Sequence, residues 1–416
     1  MGGEFGLKLG PEPADYTEGI INFARMRQER AAKAQAAMKK NGLAAVLLLR
    51  AENIRYVAAT KYPYYMPKHL RYTLALSEHE PILYEPAGNP VGECPWVKPE
   101  NRRLALHWAD QCPGREATWD MAKRFAAGIK RDLEQKGLGK EKLGFDELNE
   151  PARQALTEAG IRLVNALPVM LEARATKTQD EINCFRKVAA IADRAHYALY
   201  QAMKPGIRER DLAAVGSKAV LESGAELPGA VHIGSGGYIG GRSISSDRII
   251  QPGDVVTIDI VSATYMGYHT CYYRNYIVGR KPTDKEKEMH KKSYERVYKV
   301  IDAIKPGATT ADVAKYWVTA KETGFPSEEY VWLEDLGHGL GLSSYEYPII
   351  NRLWSFDYPQ TFETGMTMAI EAMDWDPMIG RTKLEEMVVV TDTGVEIFTK
   401  MPVKDIMIAN PIIVAE

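Results

Sequence analysis

The most constraining feature of this 416-residue chain is a set of carboxylates that interrupt apolar strand patterns in its second half. Asp259 stands inside the apolar run at residues 255–260, Glu371 follows the apolar residues 368–370, and Glu385 precedes another such run. A buried carboxylate is costly unless it is paired or binds a cation. The strands that carry these residues are therefore expected to converge on one shared polar site.

An imidazole belongs to the same set. His338 lies between glycines at residues 337–341, where a permissive backbone suits the close approach of a ligand. Taken alone, a loop histidine or a strand carboxylate is an ordinary surface feature. The histidine and the three carboxylates together indicate acid/base or metal chemistry, and so an enzyme.

The pattern of elements divides the chain near residues 165–178. The first part alternates short apolar strands with helices, which is typical of an α/β layer domain. Residues 53–56 are expected in a loop. Strands are predicted at 44–49, 72–76, 81–84, 103–107 and 142–145, and helices at 22–42 and 119–136.

The second part has longer helices and strands that read as antiparallel pairs, which indicates an α+β domain. Thr178 followed by Glu181 is a capped helix start for a long amphipathic segment at 175–203. Further helices are predicted at 284–304 and 312–321, and strands at 255–261, 272–278, 366–370, 386–390 and 396–398. The predicted domains are residues 11–170 and 175–416.

Composition excludes several other classes of protein. Lys and Arg number 53 against 55 Asp and Glu, so the net charge of -2 gives no electrostatic case for a nucleic-acid or membrane partner. The four cysteines form no CxxC pair and are too few for a disulfide framework. No clean apolar stretch is long enough to span a bilayer. We therefore expect a cytoplasmic enzyme in a reducing compartment.

The order and context of these motifs resemble the creatinase/prolidase/methionine aminopeptidase superfamily, which has the "pita-bread" fold. The matching segments are residues 248–254 and 258–260, Gly267-Tyr268, Arg274, residues 337–342, Gly365-Met366, Ile370-Glu371 and Leu384-Glu385. The resemblance implies a C-terminal pita-bread catalytic domain behind a smaller α/β N-terminal domain of creatinase/prolidase type. It also implies a homodimer, because the first domain completes the neighbouring subunit's site.

In metal-dependent members of the superfamily, two Asp, one His and two Glu residues hold two divalent cations. By motif, Asp259, His338, Glu371 and Glu385 match four of these five ligands, and Cys271 stands at the position of the bridging Asp. A bridging carboxylate holds two like-charged ions together, so its replacement argues against the usual dinuclear centre.

Three interpretations of this site stay open. Cys271 is a thiolate ligand of one borderline ion such as zinc. Alternatively, one zinc, iron or manganese ion lies on His338, Glu371 and Glu385 alone. In the third interpretation the site is metal-free, and the same side chains with Asp259 perform acid/base work. His232 is a candidate proton shuttle in each case.

Two departures from the peptidase pattern concern the substrate. Arg242 and Tyr345 stand where peptidases of the superfamily carry histidines that contact the scissile peptide. Their replacement disfavours proline-peptidase activity. An arginine facing the site suggests a substrate carboxylate, which it can grip with two hydrogen bonds, although a structural ion pair is the alternative.

A tyrosine-rich segment at residues 61–72 adds a second substrate feature. In the superfamily the corresponding loop reaches the partner subunit's active site. Tyr64 and Tyr65 would stabilise an onium group by cation–π attraction, and Arg71 would bind a carboxylate. The alternative is an aromatic loop that packs at the dimer interface.

These departures favour a non-peptidase enzyme that cleaves a C–S or C–N bond of a small zwitterionic carboxylic acid. Residues 53–56 and 356–359 and the long Asp259-to-Cys271 spacing resemble dimethylsulfoniopropionate lyases, which favours elimination. A creatinase-like, metal-independent C–N hydrolase is the first alternative. An Xaa-Pro dipeptidase-like metallopeptidase is the second, and a binding protein without activity is the third.

Overall fold

The computed structural model describes residues 21–60, 70–86, 94, 96–108, 114–237, 245–333 and 335–411. The chain divides into two compact units, Met1–Arg174 and Ala175–Glu416. Arg242, Tyr64 and Tyr65 lie outside the described residues, so their predicted roles stay predictions.

The first unit is built on a six-stranded sheet of order β4-β3-β2-β1-β5-β6. The β1–β5, β5–β6 and β3–β4 pairs are parallel, and the β1–β2 and β2–β3 pairs are antiparallel. Its strands are β1 (Ala45–Leu48), β2 (Tyr72–Leu76), β3 (Ile82–Glu85), β4 (Arg102–Leu104), β5 (Leu143–Phe145) and β6 (Leu163–Asn165). Its helices are α1 (Phe23–Lys40), α2 (Ala51–Ala58), α3 (Arg115–Gln135), α4 (Glu150–Glu158) and α5 (Leu167–Ala175), with a short 3₁₀ turn at Pro99–Asn101.

One buried carboxylate organises the end of β1. Asp146 accepts hydrogen bonds from the backbone N–H groups of Leu49 and Arg50 and from the side chain of Asn53. These bonds fix the turn from which α2 begins. The prediction of a loop at residues 53–56 is therefore wrong, because a carboxylate distant in sequence supports the first turn of a helix there.

The second unit contains two main sheets and a two-stranded β9–β10 ribbon. One sheet has the order β17-β11-β8-β7 and the other β13-β12-β14-β15-β16. Its strands are β7 (Ala230–Ser235), β8 (Val255–Val261), β9 (Thr264–Tyr265), β10 (Tyr268–His269), β11 (Tyr273–Val278), β12 (Leu336–Gly339), β13 (Glu346–Ile350), β14 (Thr367–Asp376), β15 (Gly380–Val390), β16 (Val395–Ile397) and β17 (Met407–Ala409). Its helices are α6 (Gln179–Ala202), α7 (Glu209–Glu222), α8 (Asp284–Ala303) and α9 (Thr310–Ala314), with a 3₁₀ turn at Glu328–Tyr330.

Helix α6 begins at the predicted cap. The Thr178 hydroxyl accepts from the Glu181 backbone N–H, and the Glu181 carboxylate accepts from the Thr178 N–H, so each satisfies a donor that a helix start leaves unpaired. Apolar residues of α8 pack against β14 and β15 in the main core of this unit, including Val297, Ile370 and Val388.

The two sheets are joined by buried polar bonds between β11 and β15. The Arg274 guanidinium donates to the Glu385 backbone carbonyl at 2.7 Å and to the Glu386 carboxylate at 2.9 Å. The Asn275 side chain accepts from the Lys383 backbone N–H at 2.9 Å. These bonds fix the position of the strand that carries Glu385 relative to the sheet that carries Asp259.

Most of the predicted helices and strands are confirmed, and β2 and β8 match their predicted bounds. Strands β14 and β15 extend beyond the predicted 366–370 and 386–390, because they pair with each other along one continuous antiparallel ladder. The helix predicted at 312–321 is wrong in length, since α9 ends at Ala314. Thr319 and Glu322 form a separate hydrogen-bonded turn there instead.

Within the described ranges, no helix is both long and apolar enough to cross a membrane.

Candidate active site

Asp259 lies on β8, an inner strand of the β17-β11-β8-β7 sheet. In the strand register, Asp259 of β8 lies opposite His232 of β7 on one side and Tyr273 of β11 on the other. Cys271 lies two residues before Tyr273, directly ahead of β11. The pairing therefore brings an aspartate, a histidine and a cysteine to one end of this sheet.

The second sheet presents the other three predicted site residues on one face. Glu371 of β14 lies opposite Glu385 of β15, and His338 of β12 lies opposite Ala369 of β14. Directly opposed residues share a face, and residues two apart in a strand do the same. His338, Glu371 and Glu385 therefore project from the same side of the sheet.

Cys271, His338 and Glu385 form a compact buried cluster of metal-ligating atoms. One ligand atom from each lies within 4.8 Å of the other two. His338 Nε2 lies 3.7 Å from Glu385 Oε1, and both side chains are fully buried. Three chain segments distant in sequence thus deliver a thiol, an imidazole and a carboxylate to one point.

The polar atoms of this cluster lack hydrogen-bond partners within the described part of the chain. These atoms are His338 Nε2 and both carboxylate oxygens of Glu385. His338 Nδ1 lies 3.2 Å from the Gly339 carbonyl, an arrangement that places the ring proton on Nδ1 and leaves Nε2 as an electron-pair donor. Because an unpartnered buried carboxylate is costly, this donor set fits a bound divalent cation.

Burial and neighbouring negative charges raise the pKa values of both Glu385 and Cys271. The pKa of Glu385 is raised to about 7, chiefly by burial and then by the nearby Glu371 carboxylate. The pKa of the Cys271 thiol is raised well above its ordinary value by burial and by the carboxylates of Glu385, Asp259 and Glu371. Without a cation these groups hold their protons more tightly, and a cation would displace them.

Glu371 lies beside the cluster and is paired with a lysine. Lys383 Nζ lies 3.0 Å from Glu371 Oε1, and both side chains are buried. The ammonium also donates to the Leu333 carbonyl at 3.3 Å and lies 5.0 Å from the centre of the Tyr273 ring. Sequence reasoning did not assign Lys383 a role. The feature that could have revealed it is a lysine within an apolar strand, two residues before Glu385 and therefore on the same face of the sheet.

Asp259 faces a histidine. Its Oδ2 lies 3.8 Å from His232 Nδ1, and its Oδ1 accepts from the Tyr272 backbone N–H at 3.4 Å. The His232 side chain is about one fifth exposed, so it borders the buried cluster from a more open position. The structure therefore brings Asp259 and Glu371 next to a histidine and a lysine, while Cys271, His338 and Glu385 form the cluster itself.

Tyr345 covers the histidine of the cluster. Its ring stacks on the His338 imidazole with 4.2 Å between ring centroids, and half of the tyrosine is exposed. The next residue, Glu346, is buried and accepts from Lys177 Nζ at 3.2 Å and from the Ser343 N–H at 3.1 Å. This ion pair, which sequence reasoning did not find, anchors the segment that carries Tyr345.

Arg71 lies in the first unit, where it is buried and pairs with Glu85 at 3.1 Å. Its predicted role in substrate binding stays a prediction, as do the assigned roles of the other site residues.

The chain belongs to metallopeptidase family M24, whose model matches residues 183–392, about half of the chain. The matched region contains Cys271, His338 and Glu385, and also the paired residues Asp259 and Glu371. The superfamily resemblance inferred from the motifs is therefore confirmed.

Several relatives in this family carry dipeptidase names. The chain is 31% identical over 238 residues to the Xaa-Pro dipeptidase of Pyrococcus furiosus, covering 56% of this chain and 65% of that protein. It is also 31% identical over 252 residues to the probable dipeptidase PepE of Mycobacterium tuberculosis, covering 56% of this chain and 61% of that protein. Each alignment spans less than two thirds of the relative's length.

Solved structures share the fold over nearly the whole chain. The Xaa-Pro dipeptidase from Bacillus anthracis has a TM-score of 0.72 at 23% identity, covering 92% of this chain and 99% of that one. The prolidase from Pyrococcus horikoshii has a TM-score of 0.72 at 24% identity, covering 91% of this chain and 100% of that one. The expected α+β pita-bread fold with a prolidase-type first domain is confirmed.

These comparisons overturn the predicted reaction. A lyase or creatinase-like hydrolase acting on a C–S or C–N bond of a small zwitterionic acid is wrong, because the named relatives are peptidases, several of them dipeptidases. A non-peptidase branch and a close kinship with dimethylsulfoniopropionate lyases are likewise unsupported. The inference failed because Arg242 and Tyr345 describe the surroundings of a substrate and do not determine which bond is broken.

Proposed function

We propose that this protein is a metal-dependent peptidase that hydrolyses dipeptides, with Xaa-Pro dipeptides as the first substrates to test. The observation that carries the proposal is the buried cluster of Cys271, His338 and Glu385, in which His338 Nε2 and both Glu385 oxygens have no hydrogen-bond partner among the described residues. Membership of family M24 and the dipeptidase names of the relatives support the same reaction class.

A divalent cation held by Cys271, His338 and Glu385 would supply Lewis-acid polarisation of a carbonyl and a more acidic bound water. The chain's own contribution is a site shielded from bulk solvent, because all three side chains are buried. The Gly339 carbonyl fixes the ring orientation of His338, and Arg274 fixes the backbone at Glu385. Such supports hold ligand atoms in place before any cation binds.

Glu371 is the residue we assign as the general base. Lys383 Nζ contacts one of its carboxylate oxygens at 3.0 Å and so orients the group that would accept the proton. Glu371 lies directly opposite Glu385 in the strand register, so its side chain is next to the cluster on the same face. Proton acceptance from a water beside the cluster is the step that this position allows.

His232 and Asp259 are the second acid/base candidates. The imidazole lies against the Asp259 carboxylate at 3.8 Å and is partly exposed, which suits transfer of a proton toward a departing amine. Tyr345, stacked on His338, would exclude water from one side of the imidazole.

The assembly and the outer substrate contacts are also proposals. A homodimer in which Tyr64, Tyr65 and Arg71 of one subunit approach the other's site rests on the resemblance alone. Sedimentation that gives an active monomer would contradict it. Binding of the substrate carboxylate by Arg242 rests on the two hydrogen bonds that a guanidinium can donate to a carboxylate.

The test is hydrolysis of defined dipeptides by protein reloaded with zinc, cobalt or manganese. Ala-Pro and Met-Pro would be compared with Ala-Ala and with the tripeptide Ala-Pro-Ala, and released amino acids would be quantified. We expect cleavage of the dipeptides and a loss of at least about 100-fold in His338→Ala. The matched control is His79→Ala, which removes an exposed imidazole of the first unit and should retain activity.

The absence of amino-acid release from every dipeptide, by folded protein that has taken up metal, would contradict the proposal. Equal activity in His338→Ala and wild type would contradict the assigned site.

A further inference from the structure

We propose that this site binds one metal ion per chain through the Cys271 thiolate, His338 Nε2 and a Glu385 oxygen, and that Lys383 excludes a second ion. The inference deepens the proposed function, because it concerns the same site. The superfamily resemblance implies a centre with two ions whose protein ligands are carboxylates and one histidine. The proposed centre has one ion and a thiolate ligand.

The three donor atoms lie close enough together to bind one ion. Around a tetrahedral zinc ion with bonds of about 2.0–2.3 Å, two ligand atoms are roughly 3.4–3.7 Å apart. His338 Nε2 and Glu385 Oε1 lie 3.7 Å apart, and the thiol sulfur completes a set within 4.8 Å. Small side-chain movements therefore bring all three atoms onto one ion.

Among the described residues, the imidazole and carboxylate donor atoms have no competing hydrogen-bond partner. Both oxygens of Glu385 and the Nε2 atom of His338 are buried without a hydrogen-bond partner in the described ranges, and each side chain is fully buried. In a site built only for packing, such atoms would be paired or replaced. An ion that accepts all three sets of electron pairs accounts for them together.

The two carboxylates that a second ion would need, those of Glu371 and Asp259, already have partners. Glu371 gives one oxygen to Lys383 at 3.0 Å, and the ammonium is itself buried. Asp259 has one oxygen against the Tyr272 N–H and the other directed at His232. A second dication next to Glu371 would have to lie beside a buried positive charge, which low dielectric makes unfavourable.

The Cys271 thiolate also affects which metal the site prefers. A thiolate is a softer donor than a carboxylate and prefers zinc or cobalt to manganese or magnesium. Cys271 at the position of a bridging carboxylate therefore predicts a change of metal preference as well as of stoichiometry. The protein should bind zinc and cobalt more tightly than manganese.

The experiment is metal analysis of the full-length protein combined with cobalt spectroscopy, neither of which requires a substrate. Metal-free protein would be titrated with Co²⁺ or Zn²⁺, dialysed and analysed for metal and protein content. We expect about one ion per chain and an intense near-ultraviolet thiolate-to-cobalt charge-transfer band. The band should disappear in Cys271→Ser and persist in Cys184→Ser, which removes another fully buried cysteine, on α6.

Lys383 has its own test. Lys383→Met should bind a second ion in the same titration, whereas Lys383→Arg, which keeps the positive charge, should bind one. A Lys383→Met protein that still binds one ion would overturn the role of Lys383.

Two ions per wild-type chain, or a wild-type cobalt spectrum without the thiolate band, would overturn the proposed centre. Because the wild-type spectrum alone is decisive, the conclusion does not depend on the folding of any variant. Dipeptide hydrolysis without the band would overturn this inference and leave the proposed function standing. A band with no hydrolysis would do the reverse.

Discussion

Glu371 and Glu385 lie opposite each other on β14 and β15, yet among the described residues only Glu371 has a buried lysine beside it. Lys383 Nζ lies 3.0 Å from Glu371, whereas neither oxygen of Glu385 has a hydrogen-bond partner within the residues described. Two equivalent side chains on one face thus have different electrostatic surroundings. The unpaired carboxylate, next to His338 and Cys271, is the one placed to bind an ion.

Glu385→Gln is expected to stabilise the metal-free protein while abolishing tight metal binding. Above pH 7, where the metal-free carboxyl is ionised, the substitution removes a buried negative charge whose burial costs about 1–3 kcal/mol. Urea unfolding with EDTA present would measure the gain in the free energy of unfolding. With saturating zinc the order should reverse, because only the wild type gains stability from the bound ion.

Glu371→Gln is the comparison for that experiment. Its carboxylate is paired with Lys383, so its removal leaves a buried ammonium uncompensated and should destabilise the metal-free protein. If both variants changed stability in the same direction, the distinction between the two carboxylates would be wrong.

Tyr345→Ala is expected to lower kcat/KM for a cleaved dipeptide about tenfold, and Tyr345→Phe should stay near wild type. The ring stacks on His338, and a stacked aromatic pair contributes about 1 kcal/mol, which corresponds to a factor of about 5–10. The hydroxyl takes no part in the stacking. Steady-state kinetics on the two variants would separate the ring from the hydroxyl, and equal losses in both would contradict the stacking role.

The sequence was sufficient to predict the site residues on strands because each departs from a periodic pattern. Asp259, Glu371 and Glu385 interrupt apolar runs, and such interruptions are visible without a structure. The same reasoning underlies the helices and strands of the fold, since a capped helix start and the apolar pattern of a strand are local signals. Thr178 and β8 lie where the pattern placed them.

The partners of these residues could not be predicted in the same way. Lys383 contacts Glu371 from a neighbouring strand, and Lys177 reaches Glu346 across 169 residues. The pairing depends on strand register, which sequence periodicity does not specify between distant segments. Asp146 shows the same limit in the first unit, where it supports a helix start almost 100 residues earlier.

Asp146 is expected to make the stability of the first unit depend on pH. Burial raises its pKa from 3.8 to about 6 in the folded protein, so the folded state holds the proton more tightly than the unfolded state does. The contribution of Asp146 to the free energy of unfolding is therefore present at low pH and is lost as the pH rises from about 4 to 6. The change is about 3 kcal/mol for two pKa units and is complete above that window.

Asp146→Asn removes this titration and should flatten the corresponding part of the profile. The measurement is the free energy of unfolding from pH 4 to 7 in wild type and variant, and the difference between the two curves isolates Asp146. A difference that does not vary with pH would show that the carboxylate does not titrate in this range.

Breaking the Lys177–Glu346 pair is expected to be strongly destabilising. Both side chains are buried, and removing one partner of a buried ion pair leaves an uncompensated charge at a cost of about 3–5 kcal/mol. Lys177→Met and Glu346→Gln should each lose this amount, while the double variant should recover part of it, because no charge then remains buried. The exposed Arg208–Asp211 pair is the control, since Arg208→Ala should cost less than about 1 kcal/mol. Because Glu346 directly follows Tyr345, both single variants should also lower kcat/KM in protein kept below its unfolding temperature.

If the losses of unfolding free energy in the two single variants added up in the double variant, the two residues would act independently. The pair would then not anchor Tyr345.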